Sequence, residues 1–157
     1  MTRKINVAAF SAATLLVTVF VFLAGTVHAD NRLVYTTNEE NKREIRILDL
    51  ETGENAFITL GREASWSPDG NALVFCRIDA SGSNLYIVDA RHGGAVRQLT
   101  DSPAHDRGPT WSPDGSMVAF SSDRSGTDQI WRMNIDSGDW GPNLTQLTTD
   151  TPHKRVN

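Results

Sequence analysis

Five residues, Trp66-Ser67-Pro68-Asp69-Gly70, return unchanged as Trp111-Ser112-Pro113-Asp114-Gly115, 45 positions later. A chain that repeats at this interval is a row of small units, each burying its faces against its neighbours. The period extends beyond the motif. Phe75 and Phe120 each follow their Trp by nine residues, and Leu33-Val34-Tyr35 matches Leu73-Val74-Phe75 and Val118-Ala119-Phe120, which exposes a third copy upstream. Ten residues separate that aromatic from the next apolar landmark in every copy: Tyr35 to Ile45, Phe75 to Leu85, Phe120 to Ile130. Asp49, Asp89 and Asn134 then close the segment, with Gly53, Gly93 and Gly138 four residues further on.

Each copy reads as short strands. Labelled a to d from the Trp strand, they are expected at 63–67 and 108–112 for a, and at 32–37, 72–77 and 117–122 for b. Strand c is expected at 44–50, 84–90 and 129–135, and d at 56–60, 95–100 and 143–148. After residue 29 no window holds a 3.6-residue apolar period, and the Gly, Asp-Gly and Pro punctuation is hairpin chemistry. In Pro-Asp-Gly, Pro presets φ and Gly accepts positive φ, so strands a and b are joined tightly. The fold class is therefore all-β, and four antiparallel strands per 40–45 residues describe a β-propeller blade. The blades fall at about 30–61, 62–107 and 108–150, with the start of a further repeat at 151–157.

Trp-Ser-Pro-Asp-Gly, the run Phe-Ser-Ser-Asp-Arg-Ser-Gly at 120–126, Gln129-Ile130-Trp131-Arg132-Met133-Asn134, and the ends Gln98-Leu99-Thr100 and Gln146-Leu147-Thr148 together resemble the WD-like repeat of TolB-type propellers. The likeness covers nearly all of residues 30–157 and is weakest in the first copy. It implies a propeller of the cell envelope that docks partners or small ligands. TolB proteins carry six blades behind an amino-terminal α/β domain, for which this chain has no room.

The amino terminus reads as an address. Arg3 and Lys4 precede 23 uncharged residues, Ile5–Val27, and Val27-His28-Ala29 offers small residues where a signal peptidase reads, ahead of Asp30. Residues 1–29 thus form a secretory signal peptide, with a retained anchor over 5–27 as the alternative. Either way the propeller is exported, to the periplasm or beyond. A mature chain starting at Asp30 would lack strand a of its first blade. The tail 150–157 resembles 101–109 and stops about two residues short of the next expected Trp. Rings generally need about four or more blades. Two explanations stay open: this is the front of a larger propeller, or two chains form a homodimer that completes a six-bladed ring.

Function is expected on the face that carries the b–c and d–a connections, since loops on a rigid scaffold are where binding residues gather. His105, Asp106, Arg107, His153, Lys154 and Arg155 fall there, suited to a protein, peptide or glycan ligand. Trp140, in the insertion Trp140-Gly141-Pro142 of a c–d turn, is either a further partner anchor or a ring folded onto its own hairpin. Trp66, Pro68, Asp69, Gly70, Trp111, Pro113, Asp114 and Gly115 are assigned to blade structure. Composition excludes other classes. Arg3 and Lys4 are the only charges before Asp30, so the rest carries 13 basic against 19 acidic side chains, without a basic block for nucleic acid. One cysteine makes no intramolecular disulfide. The resemblance also reaches metal-dependent oligogalacturonate lyases and the gating propellers of serine peptidases, which stand as the enzymatic alternative. With only His92, His105 and His153 beyond the signal, and His92 placed on the opposite face, the metal site of such a lyase is not expected. Asp123-x-Ser125-x-Thr127-Asp128 lacks the Gly and closing Glu of a calcium loop. No cofactor is implied and no catalytic residue is assigned.

Overall fold

The computed structural model describes residues 26–28, 30–39, 42–80, 82–91, 93–138 and 143–149. All regular structure among them is β, in three four-stranded antiparallel sheets. The first holds β1 (Thr26–Val27), β2 (Arg32–Glu39), β3 (Lys42–Asp49) and β4 (Asn55–Leu60), side by side in chain order. The second holds β5 (Arg62–Trp66), β6 (Ala72–Asp79), β7 (Gly82–Asp89) and β8 (Arg97–Gln98); the third holds β9 (Arg107–Trp111), β10 (Met117–Ser122), β11 (Gln129–Asn134) and β12 (Thr145–Gln146). These are successive propeller blades.

The repeated landmarks each have a mechanical role. In the Trp-Ser-Pro-Asp-Gly turn, Ser67 donates its hydroxyl to Asp69 Oδ1 at 2.6 Å and accepts Ala72 N–H at 2.9 Å, while Gly70 N–H reaches Ser67 O at 2.9 Å. Ser112, Asp114, Met117 and Gly115 repeat this set. Gly70 and Gly115 have φ of +68° and +73°, which favours glycine there. The serine hydroxyl, backed by the following N–H groups, holds each aspartate at about 2. At the end of strand d, Thr100 Oγ1 accepts Leu85 N–H at 2.9 Å and Thr148 Oγ1 accepts Ile130 N–H at 2.9 Å, which explains the recurring Gln-Leu-Thr.

β6 shows why its sequence is an unbroken apolar run. Alternate residues of a strand face opposite sides. Leu73 and Phe75, with Tyr86 and Val88 of β7, pack on Val34, Ile45 and Ile47 of the first blade. Val74 and Cys76, with Leu85, pack on Val118, Phe120 and Met133 of the third. Trp66 is buried in the first of these cores, and the Trp111 indole donates to Ser65 O at 3.1 Å. The repeated Trp thus ties each blade to the one before it.

Two features differ from the sequence expectation. In the full chain the first blade has a strand a: Thr26–Val27, placed in the leader by the sequence, pairs with β2. Val27 opposes Leu33 as Trp66 opposes Leu73 and Trp111 opposes Val118. His28 continues the fastening, its ring 5.5 Å from that of Trp66 and its Nδ1 2.8 Å from Asp30 Oδ1. Arg32 lies over Trp66 at 4.7 Å and donates to Gly70 O at 2.8 Å. Second, the b–c connections of the first two blades are tight hairpins, because the ladders run out to Glu39↔Lys42 and Asp79↔Gly82. Strand d is shorter than expected in blades two and three, with ladders of two residues each.

Candidate functional site

In the third blade the b–c connection is a true loop, 123–128, and the d–a link 101–106 packs against it. His105 N–H donates to Asp123 Oδ1 at 2.8 Å, and the His105 ring Nδ1 lies 3.1 Å from Asp123 Oδ2. The backbone bond is the main reason that the Asp123 carboxyl sits below its ordinary range. Asp106 is wholly buried, and Arg124 Nη2 donates to its two oxygens at 3.0 and 2.9 Å. The Arg124 guanidinium also lies over the rings of Phe120 and Trp131, at 5.3 and 5.4 Å. Arg107 pairs with Asp128 at 2.5 Å. From the second blade, Ser83 Oγ donates to Asp106 O at 2.9 Å, and Asp106 N–H donates to Ser83 O at 2.8 Å.

The structure therefore brings His105, Asp106 and Arg107 together and spends much of their chemistry internally. Asp106 faces no solvent and braces the two loops through Arg124. His105 and Arg107 keep exposed side chains. Trp140, His153, Lys154, Arg155 and His92 lie outside the described residues. Among the described residues, no group of three or more His, Cys, Asp or Glu side chains could hold a metal ion.

Two features were not singled out from the sequence. Glu63, the second residue of strand a in the second blade, has φ of +55°, where the third blade has Gly108 at +57°. Its carboxylate accepts Gly108 N–H at 2.8 Å, which links the two strands, and it accepts the Cys76 thiol at 3.5 Å. Burial, followed by the Glu63 charge, pushes that thiol far above its ordinary range. Aligning the copies would have exposed Glu63, a bulky side chain at a glycine position. The second feature is a pocket of about 350 Å³ between the first two blades, lined by Lys42, Arg43, Leu60, Gly61, Arg62, Cys76, Arg77 and Ile78.

The comparisons with known proteins agree with this architecture. The TolB beta propeller domain family matches residues 15–151. The chain belongs to that family. A Tol-Pal system protein TolB from Bordetella pertussis is 35% identical, over 69% of this chain and 36% of its own length. The structure of a protein described as TolB from Agrobacterium tumefaciens superposes with a TM-score of 0.69 at 27% identity, covering 80% of this chain and 46% of that one. TolB from Acinetobacter baumannii gives 0.67 at 26% identity, over 82% and 32%. This TolB-family chain thus spans about a third of the curated relatives it matches, and its blades correspond to part of theirs.

Proposed function

We propose that this chain is an exported TolB-family binding module of the cell envelope, which docks a protein partner on the face formed by 101–107 and 123–128 and performs no chemistry there. The observation that supports it most directly is the way this loop face is braced. The buried Asp106–Arg124 pair and the Asp123 bonds to His105 fix the loops before any partner arrives, so little ordering entropy remains to be lost on binding. His105 and Arg107 then stand at the rim as the polar contacts. The name of the Bordetella relative, a Tol-Pal system protein, supports an envelope setting.

The test is affinity capture from an envelope extract with the full chain as bait, followed by His105→Ala with Arg107→Ala. Recovery of the specific partner is expected to fall at least about tenfold, the loss of roughly 1.4 kcal/mol, with the melting curve retained. A partner captured equally well by the double variant would place docking elsewhere. Light scattering of the same preparation reports whether a second copy completes the ring.

A further inference from the structure

The pocket between the first and second blades opposes the charge of the whole chain. The protein carries a formal charge of -4, yet Lys42, Arg43, Arg62 and Arg77 line this pocket and no carboxylate does so among the described lining residues. Two of these cations are set in place. Arg77 donates through Nε to Leu60 O at 3.2 Å and through Nη2 to Thr59 Oγ1 at 2.9 Å, and its guanidinium lies over Tyr86 at 4.9 Å. Arg62 reaches Ser83 Oγ at 3.5 Å, while its buried Nε–H has no hydrogen-bond acceptor. Glu63 Oε1, at 3.6 Å, stands outside hydrogen-bond range of that nitrogen. A buried donor left without an acceptor destabilises the free protein, so the Arg62 guanidinium has donor capacity that its own chain does not use. The strained backbone at Glu63 sits next to Arg62, and such conformations gather where a chain holds a side chain for a ligand.

The rest of the lining narrows the ligand. Leu60 and Ile78 are among the exposed large hydrophobic residues of the protein, and both belong to this pocket. A fixed guanidinium beside aliphatic side chains suits a carboxylate carried on an aliphatic group, since guanidinium takes carboxylate through paired N–H donors. The volume falls at the small end of ligand pockets, which run from about 300 to 1,000 Å³, and admits a group of the size of one terminal residue.

We infer that this pocket is a carboxylate site, built from Lys42, Arg43, Arg62 and Arg77 for an aliphatic acid such as the C-terminal residue of a peptide ending in Leu, Ile or Val. It rests on the loop face being a binding surface, and extends it to a second position with its own ligand chemistry.

The test is calorimetric titration of the full chain with N-acetyl-alanyl-leucine, its C-terminal amide, and octanoate. The acid is expected to bind at least about tenfold more tightly than the amide, and to weaken as salt rises. Arg62→Gln should remove that difference. Because Arg62 also touches Ser83, the pair Lys42→Gln with Arg43→Gln, both on exposed positions, gives an independent variant that keeps the core. Octanoate binding as well as the peptide acid would identify a free aliphatic acid as the ligand source; octanoate binding poorly would identify a peptide end. Equal binding of acid and amide, or no heat from either acid at millimolar concentration, overturns the proposal. The partner capture governed by His105 and Arg107 needs none of these probes, so the two can fail separately.

Discussion

Replacing Arg124 with alanine should destabilise the protein more than any other single change on the loop face. Asp106 is fully buried and Arg124 retains only 12% side-chain exposure, so neither charge has water to fall back on. Removing one partner of such a pair leaves an uncompensated buried charge, which costs about 3–5 kcal/mol. Arg124→Ala also strips the cation from the faces of Phe120 and Trp131. For a domain of this size each kcal/mol moves the midpoint by roughly 2–4 °C, so Tm should fall by roughly 6–20 °C. Asp106→Ala should be comparable, since it takes from the Arg124 guanidinium the two carboxylate oxygens that it holds at 3.0 and 2.9 Å. The double variant Asp106→Leu, Arg124→Met removes both charges and should recover most of the loss, because well-packed apolar replacements of buried pairs are often near neutral. Thermal melts followed by circular dichroism measure all three. If Arg124→Ala lowers Tm by less than about 3 °C, or if the double variant is as unstable as the sum of the singles, the pair does not brace the loops.

Glu63→Gly should be more stable than Glu63→Ala by about 1 kcal/mol, because both lose the bond to Gly108 N–H but only glycine relieves the positive φ; chemical denaturation separates them. Gly70→Ala should be worse than Gly115→Ala, since a Cβ at Gly70 meets the His28 ring at 2.5 Å whereas one at Gly115 meets Pro68 at 3.7 Å. In a chain beginning at Asp30 that gap should close, and mass spectrometry of the envelope protein shows which amino terminus is present. Asp69 and Asp114 titrate at about 2 in the folded chain, below their ordinary 3.8. The stability they add is therefore full above about pH 4 and lost as pH falls toward 2. Ser67→Ala with Ser112→Ala should flatten that acid limb in melts taken between pH 7 and pH 2, and an unchanged slope would remove the serine hydroxyls from the explanation.

The blade pattern was legible because its landmarks are local. Pro68-Asp69-Gly70 turns where its own dihedrals dictate, and Asp49, Asp89 and Asn134 cap the next turn through their own side chains, as in Arg91 N–H to Asp89 Oδ1 at 2.7 Å. Strand a of the first blade was not legible, since Val27 stands in the Trp position and His28-Ala29-Asp30-Asn31 lacks Pro-Asp-Gly. An apolar run before a small-x-small exit looks like a signal whether or not its last residues also pair with a strand. The site was half legible. Loop position placed His105, Asp106 and Arg107 at one rim, but only three-dimensional packing shows Asp106 consumed by Arg124, which follows it by 18 residues. The cationic pocket draws on three separate stretches of chain, each with one or two basic residues, so no local window carries its signal.

The double-sided burial of β6 has a consequence for how this protein fails. A row of repeats would ordinarily be free to fray one unit at a time. Here the two hydrophobic cores share a wall one sheet thick, with Phe75 on one side and Cys76 on the other. A defect in that wall is felt in both directions, so damage at Leu73 or Val74 should dissolve all three blades together, while equal damage in β4 or β12 stays where it is made. The middle blade is the keystone of the row.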